Sequence, residues 1–257
     1  TYVPQSITVI DAQALEEKGI RNVVDVINEI PSMSVMTDRG SIGVNFRGLN
    51  TSIFTDNNPV VIYIDGVPYS NRFGFDASMA NVERIEVLRG PQGTLYGKDA
   101  IGAVINIVTQ QPTNTWQGKV GVEYGSNHLM QGMFNIGGPL LDDVLYAGIN
   151  GWYSQNDGWI ENIHPGMEND ANRENDRRFS GYLLYKPTDR LSARLTLSND
   201  YARKYGIDGY ALPSGSDIGA FNRDDAEKVD FDVPTLAKTQ STAQSLHVAY
   251  EFDPVTL

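Results

Sequence analysis

The sequence predicts a small α+β domain over residues 1–112, followed over 113–257 by antiparallel strands of a transmembrane β-barrel. Three observations carry this. Apolar residues at helical spacing occur before Pro112, whereas from about residue 117 long segments alternate apolar and polar. The connections in the second part alternate between short turns and long charged stretches, the pattern of outer-membrane barrels. No run approaches the ~20 apolar residues of a membrane helix, which does not exclude a membrane β-barrel, whose strands show only alternation.

In chain order, 5-QSITVI-10 suits a strand. Asp11 can cap a helix over 12–20, with Glu16 and Glu17 in its early turns. A second helix fits 21–30, where Val23, Val26, Ile27 and Ile30 share one face, and Pro31 ends it. Strands follow at 42–48, 61–64, 82–90 and 103–109, the third of which alternates imperfectly. The segment 61–64 runs into the turn dipeptide Asp65-Gly66. Stretches 49–58 and 69–81 read as polar and aromatic loops.

The glycine-rich stretch 88-LRGPQGTLYGKDA-100 looks at first like a phosphate-binding loop. It fails three requirements. Gly93 and Gly97 are separated by three residues instead of four, Asp99 follows Lys98 where a hydroxyl is needed, and a β-branched strand follows where a helix should receive the anion. It therefore reads as a turn-rich connection between strands. No catalytic residue and no cofactor is predicted.

The chain carries 20 basic and 32 acidic residues, a net charge of −12, which argues against nucleic acid as a partner. It has no cysteine, so disulfides, thiolate zinc sites and cysteine nucleophiles are excluded. The first ten residues lack the features of a signal peptide, as a processed chain would.

In the second part, Leu191, Ala193, Leu195 and Leu197 oppose Ser192, Arg194, Thr196, Ser198 and Asp200. Leu246, Val248, Tyr250 and Phe252 oppose Ser245, His247 and Glu251. Phe179, Leu183 and Tyr185 share a face that Leu184 blurs, and Leu145, Ala147, Ile149 and Tyr153 oppose Tyr146, Asn150, Trp152 and Ser154. Segments 118–125 and 129–137 follow more weakly. Short connections at 138–143, 186–190 and 252–255 alternate with long ones at 155–176 and 203–239. Tyr146, Tyr153, Tyr185, Tyr201 and Tyr250 near strand ends suit interfacial girdles. A soluble β-sandwich would alternate too, but with strands of ~5–6 residues.

The stretches 30-IPSMSV-35, 46-FRGL-49, 60-VVIYIDGVP-68 and, most specifically, 82-VERIEVLRGPQGTLYGKDAIGAVINIVT-109 resemble the TonB-dependent outer-membrane receptors. The wording RGPQGTLYG looks most like receptors for ferric siderophores, including the yersiniabactin-receptor group. The resemblance implies a plug domain over 1–112 and the first barrel strands over 113–257. About six strands follow the plug, where the family closes its barrel with 22. The chain is accordingly expected to be a fragment of a longer protein. The chain departs from the family in having Ser32 and Ala103 where glycine is usual, and in starting just after the place of the TonB box.

The implied function is energy-coupled uptake of a scarce ligand, most of all a ferric siderophore, across the outer membrane of a Gram-negative bacterium. The alternatives are a passive porin-like or adhesive barrel with a vestigial plug, or another cargo: haem, cobalamin or carbohydrate. TonB, engaged through a segment upstream of Thr1, the ligand, and outer-membrane lipid are the implied partners. Apical plug loops would present Phe54, Tyr69, Asn71, Arg72, Phe73 and Phe75 to the ligand, one cation and several rings suited to an anionic, aromatic complex; packing against the barrel is the plainer role for the rings. Arg47, Glu86 and Arg89 are expected in ionic contacts between plug and barrel, or else in pairs inside the plug with Glu83 or Glu86. Lys98 and Asp99 read as a local or plug–wall pair. Trp152, Trp159, Tyr205 and Tyr210 are candidates to complete a ligand cup, with girdle or loop packing the plainer role. His128, His164 and His247 are too scattered for a metal site.

Overall fold

The computed structural model of the chain describes residues 6–20, 22–38, 41–50, 59–69, 79, 81–97, 100–167, 171–206, 227–233 and 236–252. The chain begins with β1 (Ser6–Asp11), α1 (Ala12–Glu17) and α2 (Val23–Glu29). The hairpin β2 (Met33–Asp38) and β3 (Ser41–Phe46) follows, then β4 (Val60–Ile64), β5 (Val67–Tyr69), β6 (Val82–Arg89), the single turn α3 (Gly93–Tyr96) and β7 (Ala103–Thr109). Strands β1, β6, β7, β4 and β5 form one sheet in that order, with β4 and β7 parallel and the other pairs antiparallel.

Capping and burial explain the helices. The Asp11 carboxylate accepts from the Ala14 amide at 2.8 Å, and the Asn22 side chain from the Asp25 amide at 2.9 Å, each such cap contributing ~1 kcal/mol. Val23, Val26 and Ile27 of α2 lie on one stripe and pack over Ile62, Ile85, Val87, Ile105 and Ile107 of the sheet. Both helices are shorter than their sequence spacing predicts. Gly19 takes φ +64 and donates to the Glu16 carbonyl, closing α1 early. Ile30 is extended, as the residue before Pro31 must be.

The opposite face of the sheet is covered by the glycine-rich stretch. Its turn α3 sets Tyr96 edge-on to Tyr63 at 5.0 Å, and the Tyr63 hydroxyl donates to the Tyr96 carbonyl at 2.7 Å. Leu88, Ala100 and Val104 are buried beneath. The stretch thus contains one helical turn that the sequence reading lacked, and it serves as a packing layer. Lys98 and Asp99 lie outside the described residues.

The second part is a meander of long antiparallel strands: β8 (Gln117–Tyr124), β9 (Met130–Leu141), β10 (Leu145–Asn156), the short β11 (Glu161–Asn162), β12 (Glu174–Thr188), β13 (Leu191–Tyr205), the short β14 (Lys228–Val229) and β15 (Leu236–Tyr250). The six long strands form one sheet in the order β15-β13-β12-β10-β9-β8, and β11 pairs with β14. The sheet does not close on itself, so β8 and β15 are both edges. Strands β12, β13 and β15 are 15 residues long, more than the ~9–11 that a tilted membrane strand needs. No described helix is long and apolar enough to cross a membrane.

Cross-strand register fixes the faces. Leu195 lies opposite Leu183 and Leu246, and all three are exposed on the outer face with Phe179, Leu197 and Val248. Ser192, Arg194, Thr196, Ser198 and Asp200 line the inner face. From Ala193, paired with Tyr185, to Tyr201 the apolar band covers nine residues of β13, whose eight steps span roughly 27 Å of strand, close to the ~25 Å band of outer-membrane barrels once tilted. The strands run past the ends read from sequence, because above Tyr201 both faces become polar while the ladder continues to Tyr205 opposite Leu236. There Arg177 lies 4.4 Å and Lys238 5.7 Å from the Tyr201 ring, a cation-rich rim above the aromatic girdle. Tyr146 is not a girdle residue: it faces inward, buried, and its hydroxyl donates to Asn114 at 2.7 Å. Leu184 also turns inward and is buried.

Candidate functional site

The site lies where the first sheet meets the inner face of the wall. Asp65 and Gly66 have φ of 48° and 79°, the geometry of a tight hairpin turn with two left-handed residues. The Asp65 carboxylate accepts from the Thr109 amide at 2.9 Å and from the Thr109 hydroxyl at 2.6 Å, and its own amide donates to the Ile107 carbonyl at 3.0 Å. The hairpin of β4 and β5 is thereby tied to the end of β7. From the wall, Arg194 Nη2 donates to Thr109 Oγ1 at 3.3 Å and lies 3.7 Å from Asp65 Oδ2. Lys119 of β8 forms an ion pair with Glu16 of α1. A cavity of about 540 Å³ opens along this seam, between Asp65 and Tyr69 on one side and Arg178, Tyr182 and His247 on the other.

Charges continue up the inner face. Arg178 stands opposite Asp200, and its guanidinium lies 5.1 Å from the Trp152 ring. Above them buried Lys204 approaches Asp176 at 3.4 Å and Glu174 at 3.7 Å. The inner face is therefore the polar and charged side of the wall, and the outer face the apolar one.

Two long connections meet above the strands. Fully buried Asn162 donates to the Phe231 carbonyl at 2.9 Å and accepts from the amides of Phe231 and His164, each at 3.2 Å. Ile160, Ala171 and Val229 form a small core beside it. His164 sits 2.8 Å from Asp230, and His128 3.0 Å from Asp157. Each of these two histidines thus bridges from its own connection to a neighbouring one, and His247 faces inward. Among the described residues no group of three or more histidines or carboxylates could hold a metal ion.

Of the residues expected to meet ligand, Phe54, Asn71, Arg72, Phe73 and Phe75 lie outside the described residues. Tyr69 ends β5, half-buried against the plug core and on the seam cavity. Arg47 is exposed with its guanidinium 5.1 Å from the Phe46 ring. Glu86 accepts from Arg84 Nε at 2.8 Å and Asn106 Nδ2 at 3.0 Å. The Asn106 amide holds the Glu86 carboxyl below the usual carboxylate range; burial opposes this and Arg84 reinforces it. Arg89 donates to Thr8 Oγ1 at 3.0 Å, while its Nε is buried without a partner among the described residues. Trp152 is half-buried on the inner face, Trp159 is exposed in the connection after β10, and Tyr205 is buried beside Arg173 and Arg203; Tyr210 lies outside the described residues. Sequence reasoning missed the contact of Asp65 with Thr109 and Arg194. The visible signals were the Asp-Gly turn and the place of Arg194 on the polar face of its strand.

Residues 1–104 match the family model described as TonB-dependent Receptor Plug Domain. The chain is 33% identical over 165 residues to the pesticin receptor of Yersinia enterocolitica, covering 63% of this chain and 24% of that protein. It is 34% identical over 148 residues to the ferripyoverdine receptor of Pseudomonas aeruginosa, covering 54% and 17%. Its fold matches the ferric yersiniabactin uptake receptor of Yersinia pestis with a TM-score of 0.83 and 26% identity, over 97% of this chain and 39% of that one. The chain thus spans between about a sixth and a quarter of the length of these curated relatives. A plug sheet seated on the polar face of an antiparallel wall, together with these likenesses, identifies residues 1–104 as a TonB-dependent receptor plug domain and makes the chain as a whole similar to TonB-dependent outer-membrane receptors.

Proposed function

We propose that the chain supplies the plug and part of the wall of an energy-coupled receptor that takes up a ferric siderophore. The observation that carries this reading is the seam: a folded plug held against a charged inner face, with an apolar outer face turned to lipid. The names of the relatives support the cargo class, since they include a ferripyoverdine receptor and a ferric yersiniabactin uptake receptor. TonB engages the plug from the periplasmic side. Ligand meets the apical loops through Phe54, Tyr69, Asn71, Arg72, Phe73 and Phe75, with Arg72 as the counter-charge. Arg47, Glu86 and Arg89 belong to the holding of the plug, and the unfilled Nε of Arg89 is a donor that a wall carboxylate would satisfy.

Binding of ferric yersiniabactin and ferripyoverdine to the full-length protein, followed by tryptophan fluorescence, tests the reading. One of them is expected to bind, and Arg72→Ala to weaken it by about tenfold, the worth of one charge-assisted contact. Binding of haem or cobalamin with no response to either siderophore would overturn it.

A further inference from the structure

We infer that Arg194 is a wall-side latch, closed on the plug through Thr109 and Asp65, and that its opening is a step in uptake. The inference rests on the uptake reading above for its role, but not for its geometry.

Three features set this contact apart from an incidental surface pair. First, the bonds form a directed relay. The guanidinium donates to the Thr109 hydroxyl, and that hydroxyl donates to the carboxylate. Each bond polarises the next, so loss of any member weakens the others. Secondly, the wall is shaped to aim Arg194. Its guanidinium lies 4.5 Å from the Tyr182 ring. That ring occupies space left by two glycines: a Cβ on Gly148 would stand 2.4 Å from it, and one on Gly137 would stand 2.8 Å from its hydroxyl. Thirdly, the cation is largely withdrawn from water. The Arg194 side chain is 13% exposed and its Nε is buried without a partner among the described residues. A charge kept in such a place depends on the partner across the seam, and removing that partner is costly.

Here the wall supplies the cation and the plug the carboxylate. Thr109 is the last residue of β7, and Asp65 is the first residue after β4, so one wall residue grips two parallel plug strands where they finish. Movement of this corner of the plug away from the wall requires the relay to break.

The test uses the full-length receptor in detergent and in cells. Amide exchange of Thr109, whose N–H is bonded to Asp65, reports the plug corner directly. Arg194→Gln is expected to speed that exchange by at least ~10-fold, and Thr109→Val to speed exchange of the neighbouring Asp65 amide similarly. Arg194→Lys should fall between Arg194→Gln and wild type, and Arg177→Gln, on the outward face, should leave exchange unchanged. In cells, Arg194→Gln is expected to raise the saturating uptake rate by about 2-fold or more with ligand affinity unchanged, as for any step that gates turnover. Wild-type exchange in both Arg194→Gln and Thr109→Val would overturn the latch. Faster exchange with an unchanged saturating rate would reduce the contact to packing and overturn its role in uptake. Faster exchange in a protein that transports no ferric siderophore would instead overturn the uptake reading and leave the latch standing.

Discussion

Ser32 stands where the family usually has glycine, and it adopts φ +70. Serine is nearly as small as glycine, so on size alone the exchange would be harmless. The structure shows that the constraint is backbone conformation and not size, and left-handed geometry in a residue other than glycine costs energy. Ser32→Gly is expected to stabilise the plug by about 1 kcal/mol, read as a rise in denaturant midpoint. Gly102 is bound by space instead: a Cβ there would lie 2.8 Å from the Pro59 carbonyl, to which the Gly102 amide itself donates at 2.9 Å. Gly102→Ala should cost about 1–3 kcal/mol by overpacking. Glu86 gives the plug a pH dependence. Its folded carboxyl binds a proton more weakly than in the unfolded chain, first because of Asn106 and then because of Arg84. Its contribution is therefore full above the unfolded value of ~4.3 and fades as pH falls toward the lower folded value. Melting of Glu86→Gln should fall below wild type at pH 7, and the two should converge near pH 3; a gap that widens in acid would contradict the assignment.

At the scale of elements, the wall strands were the most legible part of the chain. Period-two alternation survives because lipid and lumen demand opposite chemistry at successive residues. Leu197 sits mid-band on the outer face of β13. Leu197→Arg is expected to cost ~2–4 kcal/mol in bilayers, whereas Ser198→Asn on the inner face should stay within about 0.5 kcal/mol; unfolding in lipid vesicles distinguishes them. Strand ends were not legible. Once both faces turn polar above Tyr201, pattern carries no information and only the backbone ladder defines the strand. Helix ends were missed for a local reason, the left-handed turn at Gly19. The clip between the two long connections was invisible, because Asn162 reaches Phe231, 69 residues away, through backbone groups that no side-chain pattern marks. Asn162→Ala should release this clip and speed exchange of the Ile163 amide, which donates to the Val229 carbonyl at 2.8 Å, by tenfold or more, on the order of one lost buried bond.

For the whole molecule, the change of pattern near Pro112 suggested a division into plug and wall, and the longest motif carried the family resemblance. The seam could not be read. Thr109 and Arg194 are 85 residues apart, and nothing local to either shows that they meet. The glycine-rich stretch shows the same limit in reverse: its wording identifies the family, yet its physical task, covering one face of the plug sheet through Tyr96 and Tyr63, appears only in three dimensions. What unites the observations is a plug with its own core, fastened to a wall whose outer face belongs in lipid.

The most direct measurement is uptake of radioiron, delivered as ferric yersiniabactin or ferripyoverdine, by cells that make the full-length protein as their sole siderophore receptor, with and without TonB. Accumulation of iron in TonB-bearing cells, with surface binding alone in cells lacking TonB, is the expected result. Equal accumulation in both would mean a passive pore and contradict energy-coupled uptake.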